Sequence, residues 1–205
     1  SSTTFTVIFS PTSTGAKTAA ISLANNDGNE DPYVINLTGT GNPTNDLCSG
    51  AINLVVNDPD INGTLANATA SPSPFTGTSK DVWYKFTPNC DGKFTIDLTG
   101  TAGRVNIWLY DACGKTTSLS NTTTNGNVKS LTSNALTNGT TYYVRIVADD
   151  AAGETSFKIK VNNQITIVTP PADTTVNQGT TAAFSSSIPA NQTARQWQVL
   201  TTASG

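Results

Sequence analysis

Three oxygen-bearing side chains stand at alternate positions in the segment NDPDINGT. They are Asp58, Asp60 and Asn62, and Gly63 follows directly. This spacing lets three side-chain oxygens converge on a calcium ion, while the glycine permits a sharp turn. The bidentate acid that closes such a loop is missing, because the twelfth position is Thr69. We favour a plain polar turn over this calcium site, since Asp bonds readily to its own backbone in turns.

Aromatic residues offer a second kind of candidate site, a platform for sugars or peptides. In VNIWLY the aliphatic side chains share one face of a strand, so Trp108 points to the other face. The same alternation places Tyr143 and Arg145 outward in TYYVRIV, and Trp83 outward in DVWYKF. Exposed Trp and Tyr can stack on sugars or anchor peptides. More often such rings cover a second sheet, a long loop or a neighbouring module, and we favour that interpretation.

The chain lacks the side-chain combinations that most often carry out catalysis. Histidine is absent, so there is no Ser-His-Asp or Cys-His pair and no histidine-ligated zinc. The acidic residues cluster in turn-like segments, where Asp is favoured for local hydrogen bonding, and no acid/base pair is evident. We therefore expect no enzymatic activity.

Three cysteines allow one disulfide and leave one thiol over in an oxidising compartment. Cys90 precedes one predicted strand and Cys113 follows the next, so a hairpin would bring them together. We prefer this pair, which would close a loop of about 24 residues and contribute roughly 3 kcal/mol. The alternative pairs Cys48 with Cys113 and ties the segment before the first strand of the central unit to the sheet.

The composition suits an extracellular β-protein. Of the 205 residues 12% are charged, and the net charge is -3. A weakly acidic chain without a run of Lys or Arg lacks the electrostatic footprint of a nucleic-acid binder. No apolar run approaches the ~20 residues that span a bilayer. We expect neither a nucleic-acid partner nor insertion into a membrane.

Alternating apolar and polar residues between Gly, Asn, Asp and Pro turns predict an all-β fold of serial β-sandwiches. Residues 1–42 predict three strands, TFTVIF, TAAISLAN and DPYVINLTGTG. Residues 43–162 predict about eight strands in a jelly-roll-like sandwich. Residues 163–205 predict the first strands of a third unit. We expect the two end units to be partial Ig-like sandwiches that flank the central one.

Each unit resembles a family of known modules. FTVIFSPTSTGAKTAAISLANND and the closing LTGTG resemble the end of a choice-of-anchor D type module, a relative of the major-sperm-protein-like sandwiches. NDLCSGAINL, DVWYKFTPNCDGKFTIDL, WLYDACG and LTNGTTYYVRI resemble the bacterial pre-peptidase C-terminal domain. The last unit resembles the start of a bacterial immunoglobulin-like domain, with Trp197 at the place of the buried strand-C tryptophan.

The resemblance of the central unit implies a non-catalytic β-sandwich, appended to secreted peptidases or strung along surface adhesins. Some members bind calcium in the lead-in segment, which makes Asn45, Asp46 and Asp81 further candidate ligands here. The paired glutamates that those members carry just upstream are missing. Some members bind collagen or other polymers, so the implied partner is an extracellular protein or carbohydrate.

Together these features predict a piece of a secreted or surface-attached bacterial protein whose modules project an adhesive surface. Calcium bound at the junctions would stiffen these modules. The alternative is an accessory tail of a secreted peptidase or polysaccharide-degrading enzyme. A third hypothesis is a self-associating filament subunit whose partial sandwich is completed by strands of another chain. Flanking sequence would separate the first two hypotheses, and a strictly monomeric chain would contradict the third.

Overall fold

The computed structural model describes residues 4–29, 31–75, 78–100, 105–122, 128–148, 156–164, 172, 174–185 and 187. Within them the chain forms eleven β-strands and one short 3-10 helix, Cys48–Gly50. The strands are β1 (Gly15–Leu23), β2 (Tyr33–Gly41), β3 (Ile52–Asn53), β4 (Ile61–Thr64), β5 (Asp81–Phe86), β6 (Phe94–Thr99), β7 (Val105–Tyr110), β8 (Ser120–Thr122), β9 (Val128–Thr132), β10 (Tyr142–Ala148) and β11 (Ser156–Asn163). No helix in the described part of the chain has the length and hydropathy to cross a membrane. Trp197 and most of the third predicted unit lie outside the described residues.

Strands β1 and β2 form a two-stranded antiparallel sheet of their own, in register along all 9 residues of each strand. The prediction of a further strand at TFTVIF is wrong, because residues 4–14 contain no strand. The Phe9 ring packs over Gly39 instead, where an added Cβ atom would come within 2.7 Å of the ring. Because Gly39 has no side chain, the Phe9 ring can occupy the space beside its backbone.

Two larger sheets face each other and form a β-sandwich. One has the strand order β3-β5-β10-β7-β8, and the other has the order β4-β11-β6-β9. Neighbouring strands are antiparallel except that β3 runs parallel to β5. The predicted all-β fold with a central sandwich is confirmed.

The main core lies between the two sheets, because alternate side chains of each strand point inward. Tyr84 of β5 meets Phe157 of β11 with ring centroids 6.2 Å apart, and Phe86 meets Phe94 of β6 at 5.9 Å. The residues of β7 and β10 that were predicted to point inward are all buried in this core. They are Val105, Ile107, Leu109, Tyr142, Val144 and Ile146.

The disulfide joins Cys48 to Cys113, with Cα atoms 5.8 Å apart. The preferred pairing of Cys90 with Cys113 is therefore wrong, and the alternative partner Cys48 is present instead. The preferred pairing assumed a hairpin of β6 and β7, but these consecutive strands lie in different sheets. Cys90 is a free, buried thiol of the main core, and Nδ2 of Asn163 lies 2.9 Å from its Sγ.

The segment 42–46, here called the lead-in, fastens the β1–β2 hairpin to the sandwich. The Asp46 carboxylate accepts hydrogen bonds from Nδ2 of Asn42 at 3.0 Å, from the backbone N–H of Thr69 at 2.6 Å and from the Thr69 hydroxyl at 2.7 Å. Asn45 pairs twice with Trp83. Its Nδ2 donates to the Trp83 carbonyl at 3.0 Å, and its own carbonyl accepts from the Trp83 N–H at 2.8 Å. The lead-in is thus bound to β5 by both backbone and side-chain groups.

Tyr84 should make the sandwich sensitive to alkali. Its hydroxyl lies against the backbone of Gly63 in the main core, and burial raises its pKa from 10.0 to about 12. Because the pKa is raised in the folded state, its stabilising effect is complete below pH 10.0 and is lost as the pH rises through about 12. Between about pH 9 and about pH 12 the wild-type chain should lose about 2 kcal/mol more stability than Tyr84→Phe.

Urea unfolding at several pH values, followed by tryptophan fluorescence, measures this difference. Val128→Thr is the control, because it changes an exposed residue of β9 and no titratable group. Its pH dependence should follow the wild type. Equal losses in Tyr84→Phe and the wild type would contradict the prediction.

Candidate functional site

The outer face of the five-stranded sheet carries a row of side chains that crosses four strands. Arg145 of β10 stands opposite Trp83 of β5 on one side and opposite Trp108 of β7 on the other. Asn121 of β8 is the register partner of Trp108 and continues the row. The alternate residues of β5, β7 and β10 fill the main core, so this row lies on the face away from it. The strand register therefore fixes the spacing between the side chains of this row.

An aromatic cluster, separate from the main core, covers part of this outer face. The rings of Trp83 and Tyr110 lie 5.7 Å apart, and Phe75 lies 5.3 Å from the first and 5.8 Å from the second. Trp108, Tyr143 and Cys48 pack against them. The loop that carries Phe75 and the disulfide therefore both sit over the sheet and shield part of it from water.

An ion pair joins β5 to β10 beneath the aromatic cluster. Oδ2 of Asp81 accepts a hydrogen bond from Nε of Arg145, and the Asp81 side chain is 0% exposed against 13% for Arg145. The guanidinium carbon lies 4.3 Å from the centroid of the Phe75 ring and 5.7 Å from that of Trp83. Burial raises the pKa of Asp81, while the hydrogen bonds from Ser71 and the charge of Arg145 oppose this rise.

Ser71 links the ion pair to the indole of Trp83. Its backbone N–H donates to Oδ1 of Asp81 at 2.9 Å, and its hydroxyl oxygen accepts from Nε1 of Trp83 at 2.8 Å. The backbone N–H of Asp81 donates to the carbonyl of Thr69 at 3.1 Å. The segment that leads to Phe75 is thereby fixed to β5, which holds the Phe75 ring above Arg145.

A cleft of about 320 Å³ opens beside Arg145 on this face. Its size is at the lower end of small-ligand pockets, which hold roughly 300 to 1,000 Å³. Burial raises the pKa of Tyr110, so its phenol stays uncharged near neutral pH. The lining combines aromatic rings, uncharged polar groups and one guanidinium, and it includes Phe75, Ser79, Asn106, Trp108, Tyr110, Thr116 and Arg145. Such a lining can hold a ligand by ring stacking and hydrogen bonds.

The four predicted platform residues all lie on this face, but they differ in access. Trp108, Tyr143 and Arg145 are partly buried. Trp83 is 0% exposed, because Phe75 and the segment before it cover the indole. The prediction of an outward Trp83 is right about the face and wrong about access, since no ligand can stack on a ring already covered by a loop. Trp108 is the tryptophan that the cleft leaves accessible.

The calcium ligands predicted from the segment NDPDINGT lie at the surface. Asp58 and Asp60 are exposed and line a cleft of about 270 Å³, and Asn62 is an exposed residue of β4. Nζ of Lys158 approaches Oδ2 of Asp60 to 3.8 Å. This cation competes with a metal ion for the carboxylate. The calcium site at this turn stays a prediction.

The other predicted calcium ligands already have protein partners. Asn45 and Asp46 bind the backbone and side chains around them in the lead-in, and Asp81 is paired with Arg145. Among the residues that the structure describes, no three Asp, Glu or Cys side chains form a group that could hold a metal. Calcium at this second site also stays a prediction.

Sequence analysis did not select Phe75, Asn106 or Tyr110 as site residues. The alternation in VNIWLY does place Asn106 and Tyr110 on the face of Trp108, so a signal for both was present. Phe75 lies in a loop rich in Ser and Pro, where no periodicity indicates which way a side chain points. Its position over Arg145 depends on the fold of the loop.

Comparisons with known proteins match the central sandwich. Among solved structures, the pre-peptidase C-terminal domain of a collagenase from Bacillus anthracis is similar at 17% sequence identity and a TM-score of 0.41, over 54% of this chain and 93% of that chain. Residues 43–162 resemble the same type of domain in sequence. A search of curated proteins found no match to the chain.

A family match covers the same region. The model of the T9SS-associated galactose binding domain-like family matches residues 44–159, which is more than half of the 205 residues. The chain belongs to the T9SS-associated galactose binding domain-like family.

Proposed function

We propose that the chain is a non-catalytic, adhesive part of a secreted bacterial surface protein, and that its central sandwich binds carbohydrate in the Arg145 cleft. The family assignment supports a non-catalytic module of a secreted protein. The family description, galactose binding domain-like, is consistent with a sugar as the ligand. The adhesive role and the bacterial cell surface as its location go beyond the family and belong to this proposal.

The observation that carries the proposal is the half-buried Trp108 ring at the wall of a small polar cleft. The apolar face of a sugar ring stacks on an indole, and its hydroxyls bond to amide and hydroxyl side chains. Asn106, Ser79 and Thr116 supply such groups beside the ring. Trp108 and Asn106 stand on β7, whose register is fixed, so the part of the cleft that they form needs little ordering when a ligand binds.

The size of the cleft favours a saccharide over a folded protein as the ligand. A stable protein interface involves roughly 20 to 30 residues on each partner, whereas ten residues line this cleft. The cleft holds about 320 Å³, which suits one or a few sugar residues. A protein polymer such as collagen is the competing ligand, and binding to collagen with no binding to any glycan would favour it.

The alternative role, an accessory tail of a secreted enzyme, uses the same site in the same way. In that setting the cleft would hold an enzyme near a polysaccharide, whereas in an adhesin it would hold a cell to one. A catalytic domain in the flanking sequence supports the tail, and further repeats with a sorting signal support the adhesin.

Replacing Trp108 by alanine should lower the affinity for the bound polysaccharide. Loss of one stacking ring costs about 1–2 kcal/mol, or roughly 5- to 30-fold in affinity. Affinity electrophoresis of the 205-residue chain in gels that contain galactan, xylan, mannan or β-glucan measures the effect. Far-UV circular dichroism checks that the variant is folded.

Tyr33→Ala is the matched control, since it removes an exposed aromatic ring from the separate β1–β2 sheet. Its mobility in the gels should equal that of the wild type. The proposal fails if the wild-type chain is retarded by none of these polysaccharides, or if a folded Trp108→Ala variant is retarded as strongly as the wild type.

A further inference from the structure

We infer that Asp81 sets the charge preference of the Arg145 cleft, so that the cleft takes neutral glycans and rejects anionic ones. This inference rests on the proposed carbohydrate binding and names the class of glycan. An arginine in a binding cleft ordinarily attracts carboxylate or sulfate groups, because its guanidinium matches them with paired hydrogen bonds. Here the positive charge of the guanidinium is already paired with the Asp81 carboxylate of the protein itself.

The contacts of Asp81 account for this. Its carboxylate is fully buried, Oδ1 accepts from the backbone N–H of Ser71, and Oδ2 accepts from Nε of Arg145. Arg145 is the only ionised side chain among the described residues that line the cleft. Since its charge is matched by a carboxylate directly behind it, the cleft presents no net charge to a ligand.

The guanidinium is also restrained on its other sides. Its carbon lies 4.3 Å from the centroid of the Phe75 ring, and its charge lies close enough to Tyr110 to oppose the rise that burial causes in the Tyr110 pKa. The remaining N–H groups can donate to a neutral hydroxyl without leaving Asp81. A ligand carboxylate could accept from the same N–H groups, but it would share a single cation with the Asp81 carboxylate, and like charges at such close range repel each other.

The two charged side chains in the loop after β7 offset each other. Asp111 and Lys115, in the loop after β7, pair with each other at 2.7 Å. The chain as a whole carries a net charge of -3, which repels a polyanion at long range. Local pairing and global charge both act against an anionic glycan.

The test compares two polymers with the same backbone, polygalacturonate and the polymer in which its carboxylates are reduced to uncharged hydroxymethyl groups. Dissociation constants are measured by isothermal titration for the wild-type chain, Asp81→Asn and Asp97→Asn. Asp97 lies on β6 in the other sheet, where it accepts from Ser130 and Asn162. Its replacement changes the net charge by the same amount as Asp81→Asn but leaves the cleft intact.

The wild-type chain and Asp97→Asn should bind the reduced polymer and bind polygalacturonate more weakly. In Asp81→Asn the ratio of the two dissociation constants should shift toward polygalacturonate by about fivefold, the effect of one unpaired charge at about 4 Å in water. A structural role alone would weaken binding of both polymers equally and leave this ratio unchanged.

An unchanged ratio in a folded Asp81→Asn variant overturns the inference and leaves the proposed function standing. If that variant does not fold, the dissociation constants of the wild-type chain for the two polymers test the inference. Equal or tighter binding of polygalacturonate by the wild type, weakened by added salt, overturns the inference. Binding of neither polymer by the wild type counts against the proposed function for galactose-type glycans, and the inference falls with it.

Discussion

Replacing Cys48 and Cys113 together by serine should lower the free energy of unfolding by about 4 kcal/mol. The disulfide closes a loop with a sequence separation of 65 residues, and its main effect is to restrict the unfolded chain. Cys48 also packs in the aromatic cluster, so its loss removes contacts near Trp83 and Tyr110. Urea unfolding, followed by tryptophan fluorescence, measures the change.

The response to a reducing agent distinguishes the observed Cys48–Cys113 disulfide from the Cys90–Cys113 disulfide that the sequence also allowed. It should destabilise the wild type and leave the double serine variant unchanged. Cys90→Ala should be destabilised by reduction as much as the wild type, because Cys90 is a free thiol. If Cys90→Ala lost its sensitivity to reduction, the observed pairing would be contradicted.

Replacing Arg145 by methionine should cost about 3–5 kcal/mol, because it leaves the fully buried Asp81 carboxylate without its cation. Methionine keeps much of the apolar stem that packs on Phe75, so the lost charge dominates the effect. The loss should shrink as the pH falls. The pKa of Asp81 is raised by burial, and removing Arg145 raises it further, so protonation at low pH removes the unpaired charge.

Adding Asp81→Asn to the methionine variant isolates the ion pair. The double variant Asp81→Asn, Arg145→Met should recover at least half of the lost stability, since no charge then remains buried. Urea unfolding of the wild type, both single variants and the double variant completes the thermodynamic cycle. Simple additivity of the two single losses would show that the pair is not coupled.

The sequence predicted the parts of the fold that depend on local alternation. In β5, β7 and β10 the period of two assigns each side chain to one face, and the core residues Tyr84, Val105 and Val144 follow it. The same period puts Trp108 and Arg145 on the outer face. These strands pair mainly with each other, so local pattern and final structure agree.

Features that depend on distant segments were not predictable in this way. Trp83 is buried by a loop that carries Phe75, and nothing in the strand itself signals that cover. The cysteine pairing depends on the crossing from β6 to β7 between sheets, whereas the sequence suggested a hairpin. The partnership of Asp81 with Arg145 joins residues 64 positions apart. The alternation of apolar and polar residues along a strand does not indicate which distant residues pair.

The lead-in determines how the molecule would carry tension. A pull on the β1–β2 hairpin reaches the sandwich at Asn45 and Asp46, which are hydrogen-bonded to Trp83 and Thr69. If these bonds gave way, the extension would stop at Cys48, where the disulfide holds the chain to the loop after β7. A force between this hairpin and the chain beyond β11 would then pass through the disulfide, so residues 49–112, which include β3 to β7, would not be extended.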